Sequence, residues 1–232
     1  MYKKISLSFD QIPQLSSRDQ AYQLGANALQ GFYEHDVALS SFEEVVKVKK
    51  AQKINRNLIV RELEHQYADI IDKEKVEQHI KALGDEGTYT IITAHQPSLL
   101  TGPLYFIYKI CSVISLTRQL NQHYSDFKVV PAFILGGEDH DFEEIATMRM
   151  FGQEFTWETD QKGSTGRMSL DGVDKVLGEV KERFGESTYA GDLRELIDQA
   201  FSASSTYGEF MFRLVHSLFG AHGLVILNMD NA

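Results

Sequence analysis

The sequence predicts an α/β protein built on an open, mostly parallel sheet, with a helical segment before the sheet and an inserted excursion within it. Three observations lead there. Two nearly continuous apolar runs, YTII (89–92) and FKVVPAFIL (127–135), suit strands buried on both faces, as in parallel sheets. A long apolar helical stretch, 103–120, separates them. GLVILN (223–228) repeats the strand pattern after further helices. The order strand–helix–strand, excursion, helix–strand is that of a wound α/β sheet.

Taken in order, residues 1–86 read as a mostly helical segment packing on a core of 87–232. Ser17 and Gln20 have capping-box spacing, and Ala21, Leu24, Ala28 and Phe32 follow at helical spacing. Ser41 and Glu44 open a longer pattern running towards Ile71, whose lysines and arginines form a solvated face. A third helix, 74–83, closes at Gly84, where a helix end favours left-handed geometry. The core begins with a strand over 89–93, a loop over 94–102 and a helix starting at Pro103. Pro131 argues against a central position throughout the length of the next strand, because proline cannot donate to the ladder. An insertion at about 145–205 opens with edge strands or a hairpin at 145–151 and 154–159. Helices fit 173–184, 190–201 and 207–219, the last capped by Thr206 and Glu209. A wound domain is expected to continue past the last strand, so the chain reads as truncated at its C-terminus, a fragment that folds but does not turn over substrate.

Composition narrows the function. The net charge of -10 over 232 residues argues against a nonspecific nucleic-acid binder, which depends on neutralising phosphates. The single cysteine, Cys111, allows no internal disulfide and no thiolate metal site. No apolar run reaches the ~20 residues of a membrane span, and the N-terminus lacks a secretory signal pattern. A soluble, cytoplasmic protein is the expectation.

Ligands of open α/β sheets sit beyond the carboxyl ends of the strands. Two loops leave such ends, and both have unusual composition: AHQPSLLTG (94–102) and GGEDHDFEE (136–144). In the first, His95 and Gln96 leave the strand tip. With Pro103 at the first helical position, Thr101 and Gly102 would offer a hydroxyl and N–H groups to an anion at the helix N-terminus. Lys109 is the only charge between Pro103 and Thr117, so it either finds a partner as a buried ammonium or snorkels to solvent. In the second loop, Gly137 permits a sharp turn, and Glu138, Asp139 and Asp141 crowd around His140. Mg²⁺ held by one or two of these carboxylates and a substrate phosphate would relieve their repulsion, although no residue is assigned as a metal ligand. Glu143 and Glu144 read as an acidic helix start, GSTGR (163–167) as a hairpin turn, and Cys111 as packing.

Together the two stretches TAHQPSLLTGPLYFIYK and VVPAFILGGEDHDFEEI resemble the cysteine-adding enzymes of bacillithiol biosynthesis. That family has a Gln-x-x-LLTGPLY-type segment with a following lysine, here Gln96 through Lys109. A second apolar strand ends in GEDHD, here Gly137 to Asp141. Many members carry Gly-Gln-Gln where this chain has Ala94-His95-Gln96, so the family pattern does not carry His95 as an essential group. The resemblance implies a Rossmann-like core similar to nucleotidyltransferases, and a dimerising C-terminal coiled coil that is absent here. It also implies a ligase adding cysteine to glucosaminyl-malate, the last step of bacillithiol synthesis. In that reading His140, Asp141 and Lys109 are catalytic, with His140 exchanging a proton with the acceptor amine and Asp141 orienting it. His95, Gln96, Thr101, Gly102, Gly137, Glu138 and Asp139 then bind substrate or nucleotide. The cofactor stays open, with ATP and Mg²⁺ the candidate. Expected partners are the small-molecule substrates and a second copy in the full-length family, not nucleic acid or membrane. The alternatives are another nucleotidyltransferase-like enzyme, or a non-catalytic fragment or binding domain.

Overall fold

The computed structural model describes residue 3 and residues 5–229. The chain divides into two compact units, Met1–Lys53 and Ile54–Ala232. In the first, α1 (Ser17–Gln23) is capped by Ser16 and Asp19 rather than Ser17 and Gln20. Ser16 Oγ accepts the Asp19 N–H and Asp19 returns a bond to the Ser16 N–H, which closes the box one residue early. A 3₁₀ turn over Asn27–Phe32 takes the place of the expected helical continuation. In α2 (Phe42–Lys50), Lys47 is paired with Glu43 and Glu44 one turn back, as a solvated face would have it.

The pattern running to Ile71 is broken rather than continuous. α3 (Arg56–Gln66) starts afresh because the Asn55 side chain accepts the Leu58 N–H. α4 (Glu74–Ala82) follows, and Gly84 does not take the left-handed conformation expected of it. Leu83 and Gly84 instead close on the carbonyls of His79, Ile80 and Lys81. Leu63, Tyr67, Val76 and Ile80 are buried in the same core as the sheet. Both helices therefore belong with the core, although they precede the expected division at residue 86.

The sheet begins with β1 (Thr88–His95), and α5 (Tyr105–His123) leads to β2 (Lys128–Leu135). The excursion holds α6 (Phe142–Ile145), the antiparallel hairpin β3 (Thr147–Met150) and β4 (Gln153–Thr156), then α7 (Val173–Arg183) and α8 (Ala190–Ser202). α9 (Tyr207–Phe219), capped by Thr206 and Glu209, leads to β5 (Val225–Asn228). The strand order is β1-β2-β5, all parallel. β2 is central only from Ala132 onward, where β5 joins it beyond the proline, so Pro131 lies where the strand has a single neighbour. The register aligns His95, Leu135 and Asn228, so the carboxyl ends of all three strands finish level. Trp157 ties the hairpin to the core: it is fully buried, stacks on Tyr207, and donates to the Asp171 carbonyl.

α5 is buried along one face only. Phe106, Ile110, Val113, Ile114 and Leu120 cover β1 and β2, whereas Leu104, Tyr108, Lys109 and Cys111 are exposed. A three-stranded sheet covers one side of a helix. Lys109 thus takes the solvent-facing of its two expected placements, and the expectation of an internal Cys111 is corrected. Among the described residues no helix is long and apolar enough to cross a membrane.

β5 is an edge strand, and its free edge is occupied by side chains. The buried Tyr67 hydroxyl accepts the Ile226 N–H at 2.9 Å, and Gln66 Oε1 accepts the Asn228 N–H at 3.1 Å. At the start of β5, His79 Nδ1 donates to the Gly223 carbonyl at 2.6 Å. Burial lowers the His79 pKa below its ordinary 6.5. A base with a depressed native pKa stabilises the fold above its unfolded pKa, and that contribution is lost as pH falls through the native value. We expect stability to fall as pH drops below 6.5, with a shallower fall in His79→Gln. Urea midpoints measured across that range check this, and identical slopes in the two proteins would contradict it.

Candidate functional site

A cleft of about 350 Å³ opens across the carboxyl ends of β1 and β2, lined by Ala94, His95, Gln96, Lys109, Gly136, Glu138 and Asp139 among others. Both loops singled out in the sequence contribute to it. Gln96 joins them: its amide donates to Asp139 Oδ2 at 2.7 Å and to Glu144 at 2.9 Å. Glu144 thus contacts the site, which its reading as a simple helix start did not foresee. Asp139 also accepts the Asp141 N–H at 3.0 Å. That backbone bond first, and the Gln96 bond second, hold the Asp139 carboxyl below the ordinary carboxylate range.

His95 is set by three neighbours. Its Nδ1 lies 3.1 Å from the Gln96 carbonyl, which can only accept, so Nδ1 carries the proton. Nε2 is then an acceptor, and Tyr105 Oη donates to it at 3.1 Å. Burial, with the nearby Lys109 charge adding to it, lowers the His95 pKa and favours the neutral ring. Lys109 Nζ donates to the Ala94 carbonyl at 3.2 Å and stands 5.5 Å from the centre of the Tyr105 ring. The ammonium is solvent-facing and poised at the cleft.

Other expected site residues lie elsewhere. The helix begins at Tyr105 rather than Pro103. The N–H groups of Thr101 and Gly102 are used within the preceding turn, bonded to Ser98 and Leu99 carbonyls. Leu100, Thr101 and Gly102 all have positive φ, a tight turn that reaches the helix without presenting a free anion cradle. His140 and Asp141 are exposed and do not line the cleft. Gly137 is buried and serves the backbone. Among the described residues no group of three His, Cys, Asp or Glu side chains converges as a metal site. Glu138 and Asp139 could still supply the one or two carboxylates that Mg²⁺ takes beside a phosphate.

GSTGR is not a hairpin turn. It forms a 3₁₀ turn over Thr165–Arg167 that clamps the acidic loop. Ser164 Oγ donates to the Gly137 carbonyl at 2.6 Å, the Gly166 N–H to the same carbonyl at 2.8 Å, and the Thr165 N–H to the Asp139 carbonyl at 2.8 Å. A Cβ on Gly166 would stand 2.9 Å from the Gly137 oxygen, and one on Gly208 would stand 2.7 Å from the Gly166 oxygen. Gly137, Gly166 and Gly208 are thus stacked backbone to backbone. Only the glycines themselves hinted at this, since the contact spans three distant parts of the sequence.

An open parallel sheet with a polar cleft across the ends of adjacent strands defines a Rossmann-like α/β domain. The family model for the bacillithiol biosynthesis BshC N-terminal Rossmann-like domain matches residues 5–232, and the chain belongs to this family. A relative from Flavobacterium johnsoniae, named "Putative cysteine ligase BshC", is 36% identical over 215 residues, which are 92% of this chain and 41% of the relative. Proteins of the same name from Cytophaga hutchinsonii and Bacillus cereus are 35% and 27% identical, covering 88% and 89% of this chain and 37% and 40% of their own. The chain therefore spans about two-fifths of the length of these relatives.

Proposed function

We propose that this chain forms the Rossmann-like part of a ligase that joins cysteine to glucosaminyl-malate, completing bacillithiol. The observation that carries the reading is the composition of the cleft: one ammonium, Lys109, and two carboxylates, Glu138 and Asp139, across the ends of adjacent strands. A free amino acid is a zwitterion, and such a site offers an opposite charge to each of its ends. Lys109 suits the carboxylate to be activated, and Asp139, kept ionised by its hydrogen bonds, suits the ammonium. Amide formation needs a leaving group on the cysteine carboxylate, which a nucleoside triphosphate with Mg²⁺ supplies when bound. The acceptor amine then forms the new C–N bond, the leaving group departs with its electron pair, and the amine proton passes to a base.

His95 is the better supported base. It lines the cleft, its neutral form is favoured, and its Nε2 lone pair, which accepts from the Tyr105 hydroxyl in this structure, is freed for a substrate proton when that hydroxyl turns away. His140, with Asp141 orienting it, is the alternative from the sequence. The name shared by the relatives supports the cysteine-ligase reading over another nucleotidyltransferase-like enzyme. A cytoplasmic location and a homodimer of the full-length protein belong to the same reading.

The test supplies cysteine, glucosaminyl-malate, ATP and Mg²⁺ to this chain and to a full-length family member, and follows bacillithiol by mass spectrometry. We expect product from the full-length protein, and a fall of about 10²-fold or more when the histidine matching His95, in a member that carries histidine there, is changed to Ala. A loss confined to the residue matching His140 would move the base to that position. Absence of product from a folded full-length protein would overturn the reading.

A further inference from the structure

A second cleft, of about 400 Å³, lies beyond the carboxyl end of β5, lined among others by His65, Gln66, Gly166, Arg167, Arg213 and Asn228. The turn over 164–167 stands between it and the first cleft. On one side Ser164, Thr165 and Gly166 bond to Gly137 and Asp139, and on the other Gly166 and Arg167 line the second cleft. Both clefts open at the same end of the parallel sheet, where His95, Leu135 and Asn228 finish level.

Arg213 is the telling residue. Its guanidinium donates one hydrogen bond, from Nη1 to the Asp69 carbonyl at 3.3 Å, while Nε is buried and has no acceptor. A guanidinium carries five N–H donors in a fixed fork, and a buried donor without an acceptor costs stability. The bond it does make is to a backbone carbonyl, so it does not neutralise the charge. Two carboxylates also line the cleft. Glu209 is occupied, accepting the N–H groups of Ser205 and Thr206 in the α9 capping box. Asp69 remains as a carboxylate in the same lining as Arg213. A charged, planar donor set of this kind, unlike a lysine, matches the paired oxygens of a carboxylate or phosphate.

We propose that this second cleft is an oxyanion subsite, holding a carboxylate or phosphate group through Arg213. This rests on the ligase reading only for which ligand brings the group: the malate carboxylates of the acceptor or the phosphates of a nucleotide. In either case the 164–167 turn sets two ligands side by side, with the zwitterion on one face and the anion on the other.

Titration of the isotopically labelled chain with malate, and separately with inorganic phosphate, tests the subsite without any ligation. We expect one or both anions to shift the amide signals of residues 65–66, 166–167, 206–213 and 228. We also expect Arg213→Gln to weaken that binding by about 10-fold or more. Lys109→Gln should leave it unchanged. A malate-selective response identifies the acceptor as the source, and a phosphate-selective one the nucleotide. If Arg213→Gln does not fold, the shift map of the unaltered chain decides alone. Shifts confined to 94–96, 109 and 136–139, no response to either anion at millimolar concentration, or unchanged affinity in folded Arg213→Gln would overturn the proposal.

Discussion

Gly166→Val is expected to unseat the acidic loop and abolish most of the ligation activity of a full-length protein carrying it. The new Cβ would lie 2.9 Å from the Gly137 oxygen and 3.0 Å from its Cα, both backbone atoms that cannot rotate away. Relief requires the turn over 165–167 to lift, which breaks the bonds from Ser164, Thr165 and Gly166 to the carbonyls of Gly137 and Asp139. Those bonds hold the backbone that presents Asp139 to Gln96. Overpacking of this kind costs about 1–3 kcal/mol, and a displacement near 1 Å at reacting groups can cost about 10²-fold in rate. The urea midpoint and turnover should therefore both drop. A variant with unchanged turnover would mean that the clamp does not position the site.

The second large effect is expected at Tyr67, far from the chemistry. Tyr67 is 1% exposed, packs edge-on against Phe212, and accepts the Ile226 N–H on the outer edge of β5. Tyr67→Phe keeps the ring but leaves that N–H buried without an acceptor, at a cost of about 1–3 kcal/mol. Tyr67→Ala adds a cavity, about 3–5 kcal/mol for a large aromatic side chain. A typical domain has only about 5–15 kcal/mol in total. Tyr67→Ala should thus be largely unfolded or prone to association through the uncovered strand edge. Denaturant titration and sedimentation read both outcomes, and wild-type stability in Tyr67→Phe would show that the edge bond contributes nothing.

Local signals in the sequence carried much of this architecture. The helices at 173–183, 190–202 and 207–219 follow apolar periodicity that tertiary contacts do not override, and Thr206 with Glu209 marks the last start within a four-residue window. The two loops were legible because polar residues right after buried strands need a reason to be there. What escaped the sequence depends on distant partners. GSTGR has the composition of a turn whether or not it clamps another loop. The exposure of Lys109 and Cys111 depends on how many strands α5 covers, which the sequence of α5 does not contain. Pro131 was informative, because the strand has its second neighbour only beyond the proline. The helix start at Tyr105 instead of Pro103 follows from the positive φ values of residues 100–102, and two of these three residues are not glycine.

We propose that the cleft between 94–96 and 136–139, with Lys109 at its side, binds the amino acid for activation. The most direct test is the turnover of Lys109→Gln, made in a full-length family member at the matching lysine and assayed with cysteine, glucosaminyl-malate, ATP and Mg²⁺. Lys109 is exposed and its one hydrogen bond is to the Ala94 carbonyl, so the fold should change by no more than about 0.5 kcal/mol. We expect a fall in kcat/KM for cysteine of about 10²-fold or more with an unchanged unfolding midpoint. Wild-type kcat/KM in that folded variant would contradict it.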